Sequence, residues 1–245
     1  MKKEWFEDWF SSKEYLDVYN HRDIKDAEKI IDLILANIKL NKNSNILDAA
    51  CGNGRHSILL AEKGFNVTAF DLSKTLLSTG KKKAEQLNLN INFINADIRK
   101  FYINTQFDLV INLFTSFGYF DSDEENFRFI KNAFSMLKEN GKYVLDFLNK
   151  NFVKKNLIPH SEKIVNDKII VEDRKISDNR VIKKIQIISG REKAEFMESV
   201  KLYSDNDIID NFQKIGFKVD KLFGNYNGES FNKNSSGRFI AIFKK

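Results

Sequence analysis

One cysteine, one proline and three histidines occur in 245 residues. A single thiol, Cys51, excludes internal disulfides and cysteine-based metal clusters and suits a reducing compartment. No apolar run approaches the length of a membrane span. The opening MKKEWFEDWF carries Glu4, Glu7 and Asp8 where a signal peptide needs an apolar stretch, so a cytoplasmic location without membrane contact is expected. Internal repeats and low-complexity linkers are also lacking. The net charge is +6 and the pI about 9.1, but the lysines and arginines are scattered and interrupted by acids. That distribution reads as a solvated basic surface, and nucleic acid is not an expected partner. Against these absences stand 42% hydrophobic and 13% aromatic residues, enough for one domain with an elaboration and a substantial core.

Apolar spacing at Ile24, Ala27, Ile31, Ile34, Leu35 and Ile38 predicts a helix with Asp23 as its cap. Strand-like and helical segments then alternate: NILDAA, a helix to Lys63, VTAFD, a helix from Ser73 to about Leu87, INFINAD and FDLVINLF. A helix from about Asp123 to Leu137 follows, with a Ser122/Glu125 capping box and a stop at Asn140-Gly141, then the strand KYVLDFL. This alternation predicts an α/β fold, a Rossmann-like doubly wound sheet of seven mostly parallel strands with an antiparallel last strand. After Pro159 the pattern changes. Segments KIIVEDRKIS, RVIKKIQIIS and AEFMESVKLYS, separated by turns at Asp178-Asn179 and Gly190-Arg191, read as a three-stranded antiparallel insertion. A helix from Ser204, with Asp207 at its third position and Gly216 as terminator, and two strands complete the core. The expected organisation is an N-terminal helical cap (1–40), a cofactor-binding core (41–160), a β lid (161–203) and a C-terminal return to the core (204–245).

The stretch ILDAACGNGRHSILLAEKG, residues 46–64, runs from an apolar strand ending in Asp48, through a turn containing Gly52 and Gly54, into a helix. That layout holds a nucleotide-like ligand against backbone N–H groups. A dinucleotide site would place a third glycine where Ser57 stands. Instead, Asp48, Asp71 and Asp97 end three consecutive strands, which puts all three carboxylates along one edge of the sheet. Asp121, Asp123, Glu124 and Glu125 fall at a helix N-terminus, where the dipole favours acids, so no metal site is expected there.

On these residues the chain resembles the class I S-adenosylmethionine-dependent methyltransferases, over about residues 44–150 and more loosely beyond. DAACGNG is similar to that family's first motif, VTAFDLS to the ribose-binding motif, NADIRKF to the adenine-binding motif and FDLVINLFTSFGYF to the fourth. The resemblance implies S-adenosyl-L-methionine as cofactor. Gly52 and Gly54 would let the loop approach the methionine part, and Asp71 would accept from the ribose hydroxyls. Asp97 would accept from the adenine amino group while Ile98 donates its N–H. Asp48 would orient the loop or meet the ammonium group through water, and Leu72 and Leu113 complete the cofactor contacts. Ala50 stands where many members have glycine.

The segment EYLDVYNHRD resembles a cofactor-covering element of small-molecule members, including bacterial amino-sugar and glycine-type N-methyltransferases, with Tyr19 and Arg22 closing over the methionine end. An aromatic-rich helix packed on the sheet edge is the alternative. The loop 114–121 resembles the acceptor loop of the amino-sugar enzymes and puts Tyr119 at the catalytic position; an aromatic packed under the lid is its other reading. Phe114, Phe117 and Tyr226 are the expected substrate contacts, with further wall from loops 148–160 and 224–236. These readings lead to methyl transfer to N or O of a small molecule by a monomer or homodimer. An RNA or protein methyltransferase and a non-catalytic cofactor-binding partner are the alternatives.

Overall fold

Apolar runs that end in acids form the centre of the sheet. The computed structural model describes residues 4–19 and 24–245, so Arg22 and the cap expected at Asp23 lie outside the described residues. Strands β1 (Asn45–Ala49), β2 (Asn66–Asp71), β3 (Ile91–Asn95), β4 (Phe107–Asn112) and β5 (Leu137–Leu148) pair in parallel, and β10 (Lys218–Phe223) and β11 (Arg238–Lys244) extend the sheet in the order β10-β11-β5-β4-β1-β2-β3. β11 runs antiparallel to both of its neighbours, β10 and β5. The parallel strands read as nearly continuous apolar runs because helices cover both faces. One face packs under α6 (Asp123–Met136) and α8 (Asp205–Ile215), with Phe70, Phe129, Tyr143, Phe212 and Phe243 in its core. The other packs under α3 (Ile24–Asn37) and α4 (Arg55–Glu62), through Ile30, Ile34, Leu60, Ile111 and Val144. The doubly wound, mostly parallel sheet is the fold the sequence predicts.

Side-chain caps set the helix starts. Ser73 accepts from the Leu76 N–H to open α5 (Lys74–Gln86), and Ser204 and Asp207 form a full capping box on α8. At α6 the expected box is only half made. Ser122 accepts from the Glu125 N–H, but the Glu125 carboxylate accepts from the Ser122 hydroxyl and from Arg99 instead. Asn140-Gly141 does not end α6 either. The chain leaves the helix at Leu137, already extended, and Asn140, at φ 64°, lies within β5.

The insertion is four-stranded, not three-stranded. Strands β6 (His160–Val165), β7 (Lys168–Ser177), β8 (Arg180–Ser189) and β9 (Glu192–Lys201) form an antiparallel meander in that order. β6 is short and its two apolar residues, Ile164 and Val165, fall on opposite faces, which hides it from an apolar pattern. Its turn is nevertheless chemically marked: Asn166 and Asp167 both take positive φ (50° and 61°), as do Asp178 and Asn179 at the next hairpin (50° and 59°). Residues 150–156, expected as loop, form α7 (Lys150–Asn156), capped by Asn149. The meander docks on the carboxyl edge of the main sheet, where the Lys201 N–H donates to the Gly118 carbonyl (2.8 Å) and Arg180 donates to the carbonyls of Tyr119 and Phe120. On its inner face lie α1 (Trp5–Ser11) and α2 (Glu14–Val18), sharing a small core of Trp9, Val18, Ile170, Ile185 and Ile187. Among the described residues no helix is long and apolar enough to cross a membrane.

Candidate active site

The loop between β1 and α4 takes its shape from three left-handed residues in five: Ala50 (φ 54°), Gly52 (58°) and Gly54 (73°). At Ala50 the methyl group makes this conformation cost about 1–2 kcal/mol, which the surrounding contacts have to offset. Gly54 admits no side chain, since a Cβ there would stand 2.7 Å from the Phe93 ring. It serves as the N-cap of α4 and lies behind the cavity wall, so its part is to shape the turn.

Asp71 fastens this loop to the end of β2. One carboxylate oxygen accepts from the Gly52 N–H and the other from the Ser73 N–H, each at 2.8 Å. Burial raises its pKa, against these backbone donors. Asp48 is 1% exposed and accepts from the Ser57 hydroxyl at 2.5 Å. Burial pushes its pKa up to about 7, opposed by that hydroxyl and aided by the Asp71 charge. Asp97 differs. Burial acts to raise its pKa, but the side-chain and backbone donors of Arg99 outweigh this and hold it below the ordinary carboxylate range. Both Asp97 oxygens accept from Arg99, at 2.6–3.1 Å.

Arg99 also joins the site to its roof. Its terminal nitrogens reach Glu4 at 2.8 and 3.2 Å, just before α1, and Glu125 at 3.3 Å in the first turn of α6. Further along α1, the Ser73 hydroxyl donates to the Phe10 carbonyl at 2.5 Å. The other side of the roof is held by the meander: Trp9 Nε1 donates to Glu198 at 2.7 Å, and the Tyr19 hydroxyl donates to Glu198 and accepts from Lys183. Replacing Arg99 with alanine leaves three converging carboxylates without their common partner. The expected loss, discounted for partial exposure, is about 1–2 kcal/mol of stability by denaturant titration, with faster proteolysis at the N-terminal helices. Unchanged stability and cleavage would remove Arg99 as the tie.

A cavity runs under this roof along the carboxyl edge. Of the residues singled out in the sequence, Tyr19, Asp48, Ala50, Gly52, Asp71, Leu72, Asp97, Ile98, Leu113, Phe114, Phe117 and Tyr119 line it. Tyr119 packs among aromatic rings of α1, with centroids 5.2 Å from Trp5, 5.7 Å from Phe10 and 6.4 Å from Phe6. Tyr226 is not on the wall: its hydroxyl donates to Asp146 at 3.0 Å, behind Phe114. Neither expected loop, 148–160 or 224–236, reaches the cavity, and among the described residues the meander contributes no lining side chain. It backs the helices that do.

Sequence reasoning missed the aromatic roof of Phe6, Phe10 and Tyr15 and the pair Arg55 and His56, all on the wall. His56 is 5% exposed, and its Nε2 has no hydrogen-bond partner among the described residues. Burial, then the nearby Arg55 charge, lowers its pKa and keeps the ring neutral. Its signal was available: a histidine on the inward stripe of the helix that follows the glycine loop. Arg55 lies over the Phe114 ring, 4.0 Å from its centroid.

Comparison with known proteins agrees with this geometry. Residues 46–141 match the family model described as a methyltransferase domain. The ubiquinone biosynthesis O-methyltransferase of Coxiella burnetii is 35% identical over 112 residues, 45% of this chain and 46% of that protein. The glycine/sarcosine N-methyltransferase of Aphanothece halophytica is 31% identical over 124 residues, 50% of this chain and 47% of that one. These matches thus span less than half the length of either relative. Among solved structures, an S-adenosylmethionine-dependent methyltransferase from Clostridium acetobutylicum superposes with a TM-score of 0.81 at 21% identity, covering 94% of this chain and 97% of that one. The amino pentose methyltransferase CalS10 from Micromonospora echinaspora gives 0.70 at 17%, covering 95% and 97%. Residues 46–141 are thus similar to a methyltransferase domain, and the whole chain shares its fold with these solved structures.

Proposed function

We propose that the chain is an S-adenosylmethionine-dependent methyltransferase acting on N or O of a small-molecule acceptor. The observation that carries this reading is the convergence of Asp48, Asp71 and Asp97 with the glycine loop on the wall of one cavity, closed over by aromatic helices. The residues fit the cofactor: acids stand at three successive strand ends, and an unpartnered buried imidazole nitrogen marks a wall left polar. Asp71 would hold the ribose, Asp97 and the Ile98 N–H the adenine, and Asp48 would meet the ammonium group through water, with Leu72 and Leu113 packing alongside. Tyr19 contributes its ring to the roof, its hydroxyl being engaged by Glu198 and Lys183, and Arg22 is the proposed partner of the cofactor carboxylate. When bound, S-adenosylmethionine supplies a methyl group already activated by the sulfonium. What remains for the protein is to align an acceptor and exclude water. Phe114, Phe117 and Tyr119, which line the cavity, would take that task, and Tyr119 would contact the reacting group.

The similar O- and N-methyltransferases support small acceptors, as does a cavity lined in part by aromatic rings. The single buried thiol of Cys51 suits a cytoplasmic setting. The test is to incubate the protein with S-adenosylmethionine and a panel of amino sugars, small amino acids and phenols, measuring S-adenosylhomocysteine release. Turnover with one chemical class is expected. Tight S-adenosylhomocysteine binding without turnover on any of them, or turnover on RNA alone, would overturn the small-molecule reading.

A further inference from the structure

Between β4 and the cavity the chain makes a turn that its side chains do not favour. Phe114 (φ 55°) and Thr115 (φ 67°) are consecutive non-glycine residues in the left-handed region. Such backbone persists only where the surroundings over-determine it, and it concentrates at functional sites. Here the surroundings converge on one carboxylate. Asp146, on β5, is 0% exposed. Its Oδ2 accepts from the Phe114 N–H and from the Tyr226 hydroxyl, both at 3.0 Å, and its Oδ1 accepts from Arg238 Nε at 2.8 Å. Arg238 Nη2 lies 2.7 Å from the same Oδ1 and donates to Thr115 Oγ1 at 3.0 Å. The Asp146 carbonyl accepts from the Thr115 N–H at 3.1 Å. Both left-handed residues are thus gripped at backbone N–H by a single residue, and a second grip comes from the guanidinium that balances its charge.

The turn lies within the cavity lining. Leu113 and Phe114 before Thr115, and Ser116, Phe117 and Tyr119 after it, line the cavity, while Thr115 itself does not and accepts from Arg238 of the Asp146 cluster. The Asn112 amide completes the frame by donating to the Ala49 carbonyl (3.1 Å) in the glycine loop and to the Ser116 carbonyl (3.3 Å).

Resting on the methyltransferase reading, we infer that Asp146, Arg238 and Tyr226 are positioning residues that hold the 114–115 turn in its left-handed form and so fix where the acceptor stands relative to the cofactor. Arg238 opens β11, the antiparallel strand, and Tyr226 lies in the loop before it. The C-terminal hairpin thereby acts on the acceptor loop without touching the cavity. Strand β11 sits beside β5 in a register that pairs Arg238 with Leu148 and Ile240 with Asp146, which brings the guanidinium to the carboxylate.

The test uses the full chain as wild type, Asp146→Asn, Tyr226→Phe, and Asp146→Asn combined with Thr115→Gly. Glycine takes positive φ without restraint, so it should restore a turn that has lost its grip. Hydrogen exchange of the peptide 113–120 and S-adenosylhomocysteine affinity are measured for each, with kcat on the best acceptor from the panel above. Both single variants are expected to exchange that peptide at least tenfold faster and to lose at least tenfold in kcat, with cofactor affinity within threefold. Thr115→Gly should recover most of kcat in the Asp146→Asn background. Unchanged exchange in Tyr226→Phe and Asp146→Asn, or no rescue by glycine, overturns the inference. Should Asp146→Asn fail to fold, Tyr226→Phe, which loses one hydroxyl, decides by the same exchange readout. A wild type that binds no S-adenosylhomocysteine sinks the functional reading instead, and the exchange data still decide whether the cluster holds the turn.

Discussion

Asp71→Ala is expected to weaken S-adenosylhomocysteine binding at least a hundredfold by titration calorimetry. Two losses add. The proposed ribose contact is a hydrogen bond to a charged group, worth about 1.5–3 kcal/mol, and each 1.4 kcal/mol is a factor of ten. The same carboxylate also ties the Gly52 N–H of the glycine loop to the Ser73 N–H at the start of α5. Alanine leaves both donors without their acceptor, in a loop that already bears the left-handed Ala50. Because Ser73 in turn donates to the Phe10 carbonyl, the loosening reaches the roof as well. Asp71→Asn keeps the side-chain volume and one acceptor oxygen, so a smaller loss, about tenfold, is expected. Affinity within threefold of wild type for Asp71→Ala, in a protein that still unfolds cooperatively, would exclude Asp71 from the site.

What could be read from the sequence and what could not divide along chain separation. The strand-end acids were legible because each is set by its own strand and by the parallel alternation: Asp48, Asp71 and Asp97 must share an edge once their strands are parallel. Their partners were less so. Arg99, two residues beyond Asp97, is local, yet its bonds to Glu4 and Glu125 join segments 95 and 26 residues apart, and periodicity carries no trace of them. The roof is the same case. Trp9 is buried against Phe196 and Glu198 of a meander nearly 190 residues away. Tyr226 was expected on the acceptor wall because its loop follows a strand at the active edge. A buried aspartate on β5 claimed its hydroxyl instead, since Asp146 at the centre of a covered sheet cannot be left without donors. Strand β6 escaped notice because its only apolar residues, Ile164 and Val165, are adjacent and point to opposite faces, so no period of two shows, while its Asn166-Asp167 turn spoke more clearly than its residues.

The roof is tied to both the main sheet and the meander. The helices that line the cavity are gripped on one side by cofactor-binding elements, through Arg99 and Ser73, and on the other by Glu198 and Phe196. A ligand that moves Asp97 or the Ser73 turn therefore acts on the N-terminal helices directly. The meander supports those helices and, through Arg180 and Lys201, also holds the loop carrying Tyr119 and Phe120. It thus contacts two walls of the cavity while contributing no lining side chain among the described residues.

Asp48→Asn is expected to stabilise the protein while weakening cofactor binding, the pattern of a site that keeps a charge for function at a cost in stability. Burial raises the folded pKa of Asp48 from its ordinary 3.8 to about 7. The folded chain therefore retains a proton that the unfolded chain releases between about pH 4 and pH 7. Its contribution to stability is fully present below pH 4, falls as pH rises through that window, and is gone above pH 7, a swing of at most about 4 kcal/mol. Asparagine does not titrate and still offers the Ser57 hydroxyl an acceptor. The variant should accordingly exceed the parent in stability by up to about 4 kcal/mol at pH 8, the difference shrinking toward zero near pH 4. His56 bends the pH curve the other way: its pKa lies below the ordinary 6.5, so the unfolded state takes up protons first and stability falls as pH drops. Both proteins share that effect, so it cancels in their difference. Denaturant titrations from pH 4 to pH 9 measure the difference directly. With S-adenosylhomocysteine present the order should narrow or reverse, because the proposed ammonium contact favours the ionised Asp48 and the variant lacks it. A stability difference independent of pH would show that Asp48 is ionised in the folded protein throughout, and would remove the buried carboxyl as the source of the cost.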